Sequence, residues 1–192
     1  EDALLTGSLE PTNEWYAIAK ITGIKLCQAH RKQHGCDFVS VMPTNLYGPF
    51  DNFDLDTSHV IPALIRKAHD AKMEGKNFME IWGSGNVRRE FMHVDDCADG
   101  ILFILENYSE NSHVNLGTGK DITIKELAIM ICKVVGFEGD FIYNKSKPDG
   151  TPRKLLDVQK INKLGWKSQI SLLEGLKDCY NYYKILPEKS EN

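Results

Sequence analysis

Segments of helical period and segments of strand period alternate along this chain, and that alternation restricts its fold more than any other feature. Asn13 can cap a helix running to about Gln33, with Trp15, Ile18, Ile21, Ile24 and Leu26 as apolar positions and Gly35 as the stop. The run DFVSVM (37–42) reads as a short strand ended by Pro43. Beyond it the pattern predicts a helix from about Ser58 to Met73 and strands over 77–83 and 89–94. A helix capped by Asp95 or Asp96 and a strand in HVNLG (113–117) follow. Thr123 with Glu126, and Ser171 with Glu174, match the capping box, in which hydroxyl and carboxylate each satisfy an orphan amide at a helix start. The stretch SKPDGTPRKLLD (146–157) is polar and turn-rich and reads as a loop; only the tail after Pro187 is of low complexity. Strands separated by helices predict an α/β fold with a largely parallel sheet. Ligands bind such sheets outside the carboxyl ends of the strands, which directs attention to PTNLYGP (43–49) and GSGNVRRE (83–90).

A net charge of −4 over 192 residues argues against a broad nucleic-acid-binding surface, while leaving room for a small anionic ligand held by a few gathered cations. The five cysteines form no CxxC pair and show no metal-ligand spacing, so they read as reduced, mostly core residues of a cytoplasmic protein. No apolar run approaches the ~18 residues of a membrane span. GSG (83–85) and GTG (117–119) lack the third glycine of a dinucleotide fingerprint and open no chain-initial βαβ unit.

Tyr16 precedes Lys20 by four residues within a predicted helix, which puts both on one face about 6 Å apart along the axis. A neighbouring ammonium favours phenolate over phenol, so such a tyrosine is suited to exchange a proton with a carbonyl oxygen. Spacing alone decides nothing, because Tyr143/Lys147 and Tyr180/Lys184 repeat it. The context separates them: only the first pair is followed by a strand and then PTNLYGP.

The motifs YAIAK, MPTNLYGP, SHVIPALIRKA, WGSG…RREFMHVDD, NLGTG and SKPDGTPRKLLD occur in that order. Together they resemble the extended short-chain dehydrogenase/reductases that act on nucleotide sugars, and within them the GDP-L-fucose synthase branch. The resemblance covers nearly the whole chain. It implies the C-terminal part of an NAD(P)-binding Rossmann-type doubly wound sheet plus a smaller α/β substrate domain. The division falls at 1–58 and 59–192, with 90–120 returning to the Rossmann part.

The same resemblance implies NADP(H) as cofactor, GDP-4-keto-6-deoxy-D-mannose as substrate, GDP-L-fucose as product, and a homodimer built through the helix bearing Tyr16. Tyr16 is then the proton donor and Lys20 orients the nicotinamide ribose. Pro43, Thr44, Asn45 and Leu46 line the cofactor, although a turn that caps the strand end also explains Thr44 and Asn45. His59 lies near the nicotinamide and acts as acid in the epimerisation at C3 and C5, where its titration range suits proton delivery. Lys67, Trp82, Arg89 and Asp149 fall where the family contacts the nucleotide sugar. A core aromatic and a turn-former are the plainer readings of Trp82 and Asp149.

The resemblance further leads us to expect that a glycine-rich turn, a catalytic serine and an epimerisation cysteine lie outside this sequence, so that the chain by itself is inactive. A non-catalytic GDP-sugar-binding fragment and a related epimerase or 4,6-dehydratase are the alternative readings.

Overall fold

The computed structural model describes residues 1–187; the low-complexity tail after Pro187 lies outside the described residues. A short turn of 3-10 helix, capped by Glu10 accepting from the Thr12 N–H, leads into α1 (Glu14–His34), which stops at Gly35 in the left-handed conformation. Asn13 sits at the N-cap of α1, but its side chain makes no capping bond. β1 (Val41–Pro43) and β2 (Asn45–Tyr47) are three-residue strands separated by Thr44. Then come α2 (Val60–Met73), β3 (Phe78–Trp82), β4 (Arg88–His93) and α3 (Val94–Asn107). β5 (Val114–Leu116), β6 (Asp121–Thr123), α4 (Ile124–Val135) and β7 (Asp140–Asn144) follow. β8 (Arg153–Lys154), α5 (Gln159–Leu164) and α6 (Leu172–Ile185) complete the order.

The strand pairings are mostly parallel, as the alternation of elements requires. β1 runs with β5, β2 with β4 (Asn45 opposite Phe91), and β3 with β7; β6 alone is antiparallel to β4. The fold is therefore mixed α/β with parallel sheets, as expected from the sequence. Both capping boxes form, at Thr123/Glu126 on α4 and at Ser171/Glu174 on α6.

Three local expectations are corrected. Neither Asp95 nor Asp96 caps α3: His93 does, its Nδ1 accepting from the Asp95 N–H at 3.3 Å. Asp96 is buried instead and accepts from the N–H groups of Gln169 and Ile170, each at 3.0 Å, tying α3 to the segment before α6. The 146–157 loop contains β8, which lies parallel to β4 because Arg88 N–H donates to Pro152 O at 2.9 Å. The strand expected over 37–42 pairs only over Val41–Pro43.

Two apolar clusters form, and β4 feeds both, since successive residues of a strand face opposite ways. Phe91 packs with α2, α4, α6 and β3, whereas Met92 packs with α3, β5, α5 and Trp166. α1 contributes little to either: of its 21 residues only Ile24 is buried, and Trp15, Tyr16, Ile18 and Leu26 are exposed. Among the described residues no helix is long and apolar enough to cross a membrane, and no cluster of side chains could hold a metal ion.

Candidate active site

A cavity of about 980 Å³ opens between α1, the carboxyl ends of β1 and β3, the start of α2 and the 148–156 segment. Its wall includes Tyr16, Lys20, Pro43, Thr44, Asn45, Leu46, His59, Trp82, Arg89 and Asp149. Every site residue expected from the sequence lines it except Lys67.

The tyrosine–lysine geometry is what helical spacing dictates. Lys20 Nζ lies 5.2 Å from the Tyr16 ring centroid. Tyr180 and Lys184 reproduce that contact at 5.1 Å, but Tyr180 is buried against α2, where it meets His69 Nδ1 at 3.1 Å, and burial pushes its phenol up. Lys147 turns from Tyr143 altogether, its Nζ standing 4.5 Å from the Trp82 ring. Only Tyr16 and Lys20 face the cavity as a pair.

The turn after β1 is both lining and cap. Thr44 N–H donates to Leu116 O at 3.0 Å, and Thr44 Oγ1 and Asn45 Nδ2 donate to Glu90 O at 3.2 and 2.7 Å. These bonds hold the β1–β2 corner rigidly against β4. His59 precedes α2 at its N-cap without using its side chain as a cap, which leaves the imidazole at the cavity wall.

At the opposite end, strand alternation puts Glu80 and Trp82 on one face of β3. Glu80 Oε2 accepts from Trp82 Nε1 at 3.0 Å and sits 3.6 Å from Lys67 Nζ, while Asn144 Nδ2 donates to Oε1 at 2.8 Å. The Asn144 bond first, and the Trp82 and Lys67 contacts after it, hold the Glu80 carboxyl below the usual carboxylate range. Lys67 Nζ also lies 4.6 Å from the Trp82 ring, and burial pulls its ammonium below the ordinary lysine value. Lys67 thus reaches the cavity only through Trp82, which two ammonium groups flank.

Asp149 is anchored by the turn after β3. Its Oδ1 accepts from Ser84 N–H at 2.7 Å, and a Cβ on Gly83 would fall 2.3 Å from that oxygen, so the approach requires glycine there. The Ser84 bonds, reinforced by Arg89, hold the Asp149 carboxyl below its ordinary value. Arg89 Nη2 donates to Asp149 O at 3.3 Å, whereas Arg88, its neighbour along the strand, points away and pairs with Asp121. GSG is therefore a receptor for an internal carboxylate. Glu80, Lys147, Leu155 and Leu156 were not anticipated; the Glu-x-Trp spacing on β3 is the signal that could have pointed to Glu80.

The chain resembles known proteins over 95% of its length. Residues 1–117 match the model of the NAD dependent epimerase/dehydratase family. The chain is 58% identical over 183 residues to GDP-L-fucose synthase of Sinorhizobium fredii (strain NBRC 101917 / NGR234), covering 95% of this chain and 58% of that protein. It superposes on a GDP-L-fucose synthetase from Naegleria fowleri bound to NADP with a TM-score of 0.88 at 28% identity, covering 95% of this chain and 59% of that one. A GDP-6-OMe-4-keto-L-xylo-heptose reductase from C. jejuni gives 0.86 at 36% identity, over 95% and 64%. The chain thus spans a little under two thirds of the length of these relatives. With the family model matching more than half of its length, and with tyrosine, lysine and the strand-end turn gathered on one cavity, the chain belongs to the NAD dependent epimerase/dehydratase family.

Proposed function

We propose that this chain supplies the proton-donating pair and the nucleotide-sugar site of an NADP(H)-dependent GDP-L-fucose synthase, converting GDP-4-keto-6-deoxy-D-mannose to GDP-L-fucose. The observation that carries this reading is the meeting of Tyr16, Lys20 and His59 with Trp82, Arg89 and Asp149 on one cavity. Cofactor and nucleotide ends of a reaction are thereby within reach of one sugar. The similarity to Sinorhizobium fredii GDP-L-fucose synthase supports the choice of substrate. We assign residues 1–58 to the cofactor lobe and 59–192 mainly to the substrate lobe, with 90–120 returning to the former. The packing of Val39 and Val41 with Met92, Cys97, Ile104 and Val114 supports the return of 90–120 to the first lobe; Val158, Ile161 and Trp166 join the same cluster, and Tyr47 and Phe53 join the other.

The residues fit the nicotinamide ribose end of the cofactor. Among the described residues no carboxylate pairs with Lys20, whose ammonium is left to the Tyr16 ring and the cavity. NADPH, when bound, supplies the hydride for C4 of the sugar. Tyr16 gives its phenolic proton to the C4 oxygen, so that negative charge does not accumulate there as the carbon is reduced. Lys20 holds the ribose and favours the phenolate left behind. Before reduction, the C4 ketone acidifies the protons at C3 and C5; a general base takes the proton from one face of each centre, and His59 returns one to the opposite face. Arg89 neutralises diphosphate charge, and Trp82 meets the nucleotide at the cavity wall, its ring shared with the Lys67 and Lys147 ammonium groups. Lys67, a point charge behind that indole, strengthens the cationic end without bidentate geometry.

We further place the enzyme in the cytoplasm as a homodimer, in keeping with unpaired cysteines and with the exposed apolar residues of α1. Calorimetric titration of the intact protein with GDP, paired with NADPH oxidation on the 4-keto-6-deoxy sugar nucleotide and product identification by NMR, tests the whole reading. Binding together with formation of GDP-L-fucose is the expected result. Binding without turnover identifies a nucleotide-sugar-binding module, and a product inverted at one centre or none identifies a different epimerase or dehydratase.

A further inference from the structure

The acidic residue of the REFMHV strand has no part in the chemistry above, yet it is the most completely buried charged side chain described. Glu90 has 0% of its surface exposed. Its Oε1 accepts from the N–H groups of Thr118 at 2.6 Å and Gly119 at 2.7 Å, and its Oε2 accepts from Leu156 N–H at 2.9 Å. A buried carboxylate is tolerated only when its oxygens are saturated in this way. Thr118 Oγ1 stands a further 3.3 Å from Oε1. A Cβ on Gly117 would lie 2.4 Å from the same oxygen, which explains the first glycine of GTG. That motif is thus a second carboxylate receptor, matching the one GSG offers Asp149.

The same residue's carbonyl oxygen accepts from Thr44 and Asn45, on the cofactor side of the cavity. Its side chain holds Leu156, which closes the cavity together with Lys154 and Leu155 on the nucleotide-sugar side. Arg89 and Phe91, its neighbours in β4, both line the cavity. One residue therefore joins the two walls through two different groups, main chain to one and carboxylate to the other.

We infer that Glu90 is a positioning residue for nucleotide-sugar binding: its carboxylate fixes the Lys154–Leu156 wall to the Thr118–Gly119 turn, while its carbonyl fixes the cofactor-side turn independently. The inference rests on the GDP-sugar reading of the cavity. It separates the two ligands, because a side-chain change leaves the carbonyl's bonds to Thr44 and Asn45 in place.

Glu90→Gln in the intact protein keeps the shape but turns one acceptor into an NH2 group, which must then face at least one of the three N–H donors. The expected result is a KM for the nucleotide sugar raised at least fivefold, by more than kcat falls, with NADPH affinity moved less than twofold. A KM raised less than fivefold, or equal weakening of both ligands, overturns the inference, since a merely structural role lowers kcat through the folded fraction and spares KM. Amide hydrogen exchange on the unsubstituted protein reads the same link should that variant not fold. GDP is expected to slow exchange at Thr118 and Gly119, which do not line the cavity, at least threefold. Protection at Leu156 with Thr118 and Gly119 unmoved overturns the inference alone. No protection anywhere along the cavity overturns the GDP reading and the inference with it.

Discussion

Tyr16 and Tyr180 each precede a lysine by four residues, and in each pair the ammonium stands just over 5 Å from the ring centroid. Local geometry is the same; the surroundings are not. Tyr16 is 61% exposed at the wall of a large cavity, whereas Tyr180 is 8% exposed among core residues. Under the proposed function, Tyr16→Phe removes only a proton donor, so kcat for NADPH oxidation should fall about 10²–10⁴-fold while GDP affinity holds. Tyr180→Phe should leave turnover intact and lower the melting temperature by about 2–4 °C, the loss of one partly buried hydrogen bond worth ~1 kcal/mol. Steady-state kinetics beside thermal melts of the two variants separates the roles. A tyrosine–lysine spacing is legible in the sequence. What chose among three such pairs was the strand and PTNLYGP turn after Tyr16, because these place it at a strand end where a parallel sheet leaves room for a ligand.

At the scale of elements, legibility follows the range of the interactions that define each one. The capping boxes of α4 and α6 were read correctly because donor and acceptor are three residues apart. β2, β6 and β8 were not anticipated, since two- or three-residue strands exist only through partners 30 to 65 residues away, on β4. The same range hid Glu90, whose carboxylate is explained by remote N–H donors, and half hid Glu80, which accepts from distant Asn144 as well as from nearby Trp82. The 146–157 segment illustrates the consequence. Read as loop, it is in fact pinned at Asp149 by the Ser84 turn, at Arg153 by Asp121 and at Leu156 by Glu90. Because the Ser84 bonds, with help from Arg89, depress the folded value of the Asp149 carboxyl, its contribution is fully present above the unfolded value near ~3.9 and is lost as pH falls through the lower folded value. The gap in melting temperature between the wild-type protein and Asp149→Asn should therefore stay constant from about pH 8 to about pH 5 and close only in stronger acid. Melts recorded across that range check the sign: a gap that widened on acidification would contradict it.

Across the whole molecule, the five cysteines divide by depth. Cys97, Cys132 and Cys179 are buried, and burial raises each thiol, to about 11 for Cys132 and about 12 for Cys179. Since thiolate is the reactive form, these three should resist a disulfide reagent at pH 8 and be modified only at the rate of unfolding, as peptide mapping after timed labelling will show. α1 stands at the other extreme. It carries Tyr16 and Lys20 along 21 residues, yet only Ile24 is buried, so the core of this chain does little to fix its angle over the cavity. Under the proposed function, a surface meeting the helix's far side would set the reach of the phenolic proton, and turnover would respond to events that no ligand in the cavity experiences. A compound wedged against Trp15 and Ile18 would slow reduction while leaving nucleotide affinity alone, an inhibitor that need resemble neither sugar, base nor dinucleotide.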